Sequence, residues 1–168
     1  MKCIHICSIK ELRDLLRNNQ IPPKSYALIS SSYELDITVP IPYSFECFDD
    51  IDFDCLGRVF SVEAANRFAK AIKENDDVQH FWCVCDGGVR RSAAVAASIL
   101  RFWGRCEEEI SLIWSNPTKE PNVWVYRAMC DALSIPVDDV DLDVLIYTNR
   151  TAFSNAVRKE SNNRKDSL

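Results

Sequence analysis

The chain has only two histidines, His5 and His80, and none of its eight cysteines forms a C-x-x-C pair. A structural zinc site needs about four ligands at suitable spacing, so no metal site is expected, and no cofactor. No uninterrupted apolar run approaches about 18 residues, which argues against a membrane-spanning helix. The start, MKCIHICSIKELRDLL, becomes charged too soon for a secretory signal. Without an export signal a disulfide framework is not expected. The cysteines at 3, 7, 47, 55, 83, 85, 106 and 130 therefore read as small buried hydrophobes, Cys85 excepted. A cytoplasmic location follows as the expectation. There is no internal repeat and no linker rich in Gly, Pro or Ser. A net charge of −5 argues against nucleic-acid and anionic-membrane partners.

What is present is ordinary globular composition: 168 residues, 47 % apolar and 27 % charged. That length suits one domain burying about two thirds of its unfolded surface. CIHIC (3–7), YALISS (26–31), SFECFDD (44–50) and HFWCVC (80–85) are short β-rich runs that read as strands. Ser8 opens a capping box with Glu11, and Ile9, Leu12, Leu15 and Leu16 form one apolar face behind it. Ser61 is placed to cap a helix with the stripe Val62, Ala65, Phe68, Ala69 and Ile72. Further helices are expected over roughly 91–103, 107–115 and 122–134. The alternation predicts an α/β fold: a central, mainly parallel sheet of about four to five strands with helices on both faces. Residues 1–149 read as one domain and 150–168 as a polar, basic, solvated or frayed tail.

The informative stretch is WCVCDGGVRRSAAVAAS, Trp82 to Ser98. It reads as a strand finishing at Cys85, a tight loop DGGVR, and a helix starting near Arg91. Ligands of open α/β sheets sit beyond the carboxyl ends of the strands, and a helix N-terminus there is an anion site. Gly87 and Gly88 suit a left-handed turn and close backbone approach, and successive loop amides can form an anion nest. Arg91 adds a planar fork for two phosphate oxygens. Helix N-termini and nearby cations lower a cysteine pKa from about 8.5 into roughly 3.5–7.5. A thiolate at the base of an anion-binding loop points to nucleophilic attack on phosphorus. Beside this stand two other readings: a catalytically weak phosphate-binding module, and a thiol redox protein using Cys83 and Cys85.

The run Cys85-Asp86-Gly87-Gly88-Val89-Arg90-Arg91-Ser92 is similar to the C-x-x-G-x-x-R signature, followed by Ser or Thr, of the cysteine-dependent protein tyrosine phosphatases. It looks most like the dual-specificity branch and its short bacterial relatives. FECFDDID resembles that family's strand with the general-acid aspartate, FSVEAANRFAKAI the helix linking acid to nucleophile, and EPNVWVYRAMCDAL the later helix that often opens with Pro-Asn. The loop is central, and there is no Asp-Pro, Trp-Pro-Asp or Asn-Arg-Tyr, which sets aside the low-molecular-weight and the strictly tyrosine-specific branches.

The resemblance implies a phosphomonoesterase that works through a phosphocysteine intermediate, without metal or cofactor, on a phosphoprotein. It makes Cys85 the nucleophile, Arg91 and the amides of residues 86–91 the phosphate ligands, and Ser92 the hydroxyl that serves the departing thiolate. Laid against the family pattern, Asp50 takes the acid position, with Asp49, Asp52 and Asp54 as competitors. Two departures stand out. The histidine that usually precedes the nucleophile is Val84, and the usually small residue before the arginine is Arg90, which either favours a polyanionic substrate or faces solvent. Asp86 reads as a turn cap or a substrate-side residue. Trp103, Trp114 and Trp124 read as packing residues, and Cys47 and Cys83 as buried filler or as partners of Cys85 in a protective disulfide.

Overall fold

A computed structural model describes residues 2–51 and 57–165, with side chains to residue 159. Its centre is one sheet of four parallel strands: β1 (Cys3–Ser8), β2 (Ser25–Ser31), β3 (Tyr43–Cys47) and β4 (His80–Cys85), ordered β1-β4-β2-β3. Among the described residues six α-helices surround it: α1 (Ile9–Arg17), α2 (Val62–Glu74), α3 (Arg91–Phe102), α4 (Cys106–Glu109), α5 (Val123–Leu133) and α6 (Asp139–Lys165). The chain is therefore α/β, with a central parallel sheet flanked by helices. None of the described helices is long and apolar enough to cross a membrane.

Local chemistry explains most boundaries. The capping box forms: Ser8 Oγ accepts from the Glu11 N–H at 3.1 Å while the Glu11 carboxylate accepts from the Ser8 N–H at 2.6 Å. Ser61 Oγ accepts from the Ala64 N–H at 3.2 Å and starts α2. The buried stripe of α2 is Ala64, Ala65, Phe68, Ala69, Ala71 and Ile72; Val62, expected on it, is 69 % exposed. In the alanine-rich α3, Arg91 to Leu100 are all buried, so the helix is covered on every side. One face of the sheet packs Leu28, Phe81 and Cys83 against α2, α3 and α5. The other packs Trp82, Val84 and Ile29 against Leu12 of α1 and the apolar residues of the segment 35–41.

Three elements differ from their sequence reading. The strand expected over 44–50 runs from Tyr43 to Cys47, and the Phe48 N–H makes the last ladder bond, to the Ser31 carbonyl at the end of β2 (2.8 Å). The helix expected over 107–115 is α4 followed by a π-helical turn, Ile110–Trp114. That wide turn brings Trp114 Nε1 within 2.9 Å of the buried Glu109 carboxylate, which also accepts from Tyr126 Oη and Arg101 Nε. Finally, residues 150–165 continue α6, whose Leu142, Leu145 and Asn149 are buried and whose later residues up to 159 are mostly exposed.

Candidate active site

The chain crosses from β1 to β2 through α1 on one face and returns from β3 to β4 through α2 on the other. The carboxyl end of β4 therefore lies where the connections diverge, the usual ligand crevice of such sheets. Cys85 ends β4, residues 86–90 form the loop, and Arg91 opens α3. No side chain caps that helix, so its first-turn donors remain for another acceptor.

The loop carbonyls face outward. Gly88 O accepts from Lys119 Nζ at 2.7 Å, Val89 O from the Glu120 N–H at 3.3 Å, and Arg90 O from the Asn122 N–H at 3.3 Å. In a planar trans peptide the N–H points opposite to its C=O, so the amides of Val89, Arg90 and Arg91 turn toward the inside of the loop. Gly88 makes this turn at φ +67° with its Cα against the end of β1: an added Cβ would lie 2.6 Å from Ser8 N and 2.8 Å from Cys7 C. Gly87 carries no such demand, since its φ is not left-handed and a Cβ there meets nothing within 4 Å. Gly88→Ala is therefore expected to reduce phosphate affinity at least about tenfold, measured by isothermal titration, while Gly87→Ala leaves it within a factor of about two.

Cys85 is buried, and its Sγ lies 3.1 Å from Ser92 Oγ on the first turn of α3. Arg91 is also buried and held from three sides. Its Nη1 donates to the Phe48 carbonyl (2.7 Å) and to Ser32 Oγ (3.0 Å), and its Nη2 donates to Asp86 Oδ2 (2.6 Å). Its Nε is buried without a hydrogen-bond partner. Asp86 accepts in addition from Ser31 Oγ and the Ser32 N–H. Burial opposes charge on Asp86, but the Ser31 and Ser32 hydrogen bonds and Arg91 outweigh it and hold its carboxyl below the usual range. Asp86 thus faces the arginine and the end of β2, acting as its counter-ion.

Of the acid candidates, Asp49 accepts from the Arg58 N–H (3.0 Å) and Arg58 Nη2 (3.3 Å). The Arg58 N–H above all, and its guanidinium, hold that carboxyl below its usual range, a poor setting for a proton donor. Asp50 accepts from Asn122 Nδ2 at 2.8 Å and lies 3.8 Å from Arg90 Nη1. Two residues before it, the Phe48 carbonyl accepts from Arg91. Asp52 and Asp54 lie outside the described residues. Arg90 faces Asp50 and Glu120 (3.9 Å), so its charge is already matched by carboxylates. Val89 is partly exposed at the mouth of the loop.

Among the tryptophans, Trp114 is buried, and Trp124 donates to the Phe60 carbonyl at 3.0 Å. Cys47 Sγ accepts from Arg58 Nη1 at 2.9 Å. Burial first, then Glu11, pushes the Cys7 thiol up to about 12; burial does the same for Cys130, to about 12, and raises Cys83 further. Cys83 and Cys85 are two residues apart in a regular strand, so their Cβ atoms stand about 6.6 Å apart, where a disulfide needs about 3.8 Å. Among the described residues no three His, Cys, Asp or Glu side chains cluster as a metal site.

Ser31, Ser32, Arg58, Lys119 and Asn122 complete the arrangement, and the sequence reading assigned none of them a role. Two signals were available: the triple serine Ser30-Ser31-Ser32 at the carboxyl end of a strand, where α/β sheets place their ligands, and the Pro-Asn opening of the later helix, which contains Asn122. No known family model matches the chain, and no curated protein is significantly similar to it.

Proposed function

We propose that this chain is a phosphomonoesterase of the cysteine-dependent tyrosine phosphatase type, acting on phosphoproteins through a phosphocysteine intermediate. One observation carries the reading. Of the five N–H donors of Arg91, three are fixed by Phe48 O, Ser32 Oγ and Asp86. The two that remain, on Nε and Nη2, sit on neighbouring nitrogens of a rigid plane, on the residue that directly follows a loop whose amides turn inward. Leaving the charged Nε buried and unbonded costs on the order of 1–3 kcal/mol. A tetrahedral dianion meets that need with two oxygens.

The chemistry follows. Cys85, as thiolate, attacks phosphorus, and the P–O bond to the substrate breaks. Arg91, the loop amides and the α3 N-terminus stabilise the charge on the transferring phosphoryl group. Asp50 gives its proton to the leaving oxygen and then, as carboxylate, takes one from the water that hydrolyses the P–S bond. Ser92 donates to the departing sulfur. The positive charge this reaction requires comes from the chain's own donors. Arg90 faces Asp50 and Glu120, at 3.8 and 3.9 Å, which favours phosphopeptides over polyanionic substrates.

Release of phosphate from a panel of phosphopeptides, phosphoinositides and nucleotides tests the reading. Turnover of phosphopeptides supports it, and failure to hydrolyse any of them overturns it. Val84 favours a second reading, a phosphate-binding module with weak catalysis: its side chain is packed in the α1-side core, away from the nucleophile. Phosphate binding without turnover would select it.

A further inference from the structure

Across the sheet, Glu46 of β3, Ser30 of β2 and Cys85 of β4 are register partners in one row. Partners in a parallel sheet project to the same face, about 4.8 Å apart. The face here is that of α2 and α3, since Glu46 reaches Arg67 and Cys85 reaches Ser92. Ser30 is 1 % exposed, and its Oγ has no hydrogen-bond partner. A buried hydroxyl without a partner is uncommon and calls for an explanation. Its neighbour on one side, Glu46, directs both carboxylate oxygens at Arg67, at 2.6 and 2.8 Å. Its register partner on the other side is Cys85, whose sulfur becomes a strong acceptor on ionisation.

We infer that Ser30 is a second hydroxyl serving the nucleophile: it donates its O–H to the Cys85 sulfur when that sulfur is a thiolate, opposite Ser92. A hydrogen bond to an ionised group is about twice as strong as one between neutral groups. The Ser30 hydroxyl thus lacks a partner in the resting site and gains one when Cys85 ionises, and again when the phosphocysteine breaks down. The same bond supplies from β2 the support that Val84 does not give from β4. The inference rests on Cys85 being the nucleophile.

Ser30→Ala tests it through three readouts. Other titratable or charged groups near Cys85 are Cys83 on β4, Cys7 on β1, Glu46 with Arg67, and Asp86 with Arg91, and the substitution alters none of them. Iodoacetate labelling of Cys85, followed by peptide mass spectrometry, is expected to slow about tenfold at neutral pH and to recover as pH rises, because the thiolate is the reacting species. The kcat for a phosphopeptide is expected to fall by a similar factor with KM little changed. Thermal stability is expected to hold or rise, since an unsatisfied hydroxyl leaves the interior. Ser30→Thr, which keeps the hydroxyl, is the rescue variant should alanine fail to fold, and labelling near the wild-type rate is expected from it. Labelling and kcat unchanged in Ser30→Ala, or labelling as slow in Ser30→Thr as in a folded alanine variant, would overturn the inference. Failure of the parent reading looks different: the wild-type chain itself would release no phosphate.

Discussion

Cys85→Ser is expected to lower phosphate release by about 10⁴-fold or more, because the serine hydroxyl at this site has no adjacent base to ionise it. Inorganic phosphate should still bind, since the loop amides and Arg91 are untouched. Arg91→Ala is expected to lose both binding and turnover. It also leaves Asp86 with only Ser31 and Ser32 as partners. Arg91→Lys is the sharper variant. It keeps the charge but has a single nitrogen, which cannot hold Phe48 O, Ser32 Oγ and Asp86 while offering two donors to a ligand. Calorimetric titration with phosphate and steady-state kinetics on the same preparations separate the two effects. A Cys85→Ser protein that still turns over would exclude the covalent mechanism.

Asp50→Asn should slow poor leaving groups selectively. A phosphotyrosine-like ester expels a phenol with pKa about 10 and needs the proton, whereas an aryl phosphate with a very acidic phenol does not. The expected loss is roughly 10²–10⁴-fold in kcat for the first and little for the second. Asparagine still accepts from Asn122 through its carbonyl, so the loop geometry survives the change. If Asp52→Asn shows the selective loss instead, the acid lies one turn further along the loop. Asp49→Asn should show no such selectivity, as Arg58 already holds that carboxyl ionised.

The parts of this arrangement that were legible in the sequence are contiguous ones. A capping box, a strand running into a glycine loop and an alanine-rich helix each lie within one stretch, where spacing alone sets geometry. Two of the partners of Arg91 do not. Phe48 and Ser32 meet it only because parallel register aligns the ends of β2, β3 and β4. The π-helical turn was hidden for a related reason: Glu109 and Trp114 are five apart, and only the partners Arg101 and Tyr126 from other helices make that spacing favourable. The first part of α6 escaped because Asp138, Asp139, Asp141 and Asp143 dilute the pattern of its two buried leucines.

The contact between Gly88 and the last peptide of β1 has a practical side. Chain starts are ordinarily the safest place for tags, fusions and trimming. Here β1 backs the loop that follows Cys85, and the two share no room for even a methyl group. Shortening or rebuilding residues 3–8 would thereby alter the shape of that loop.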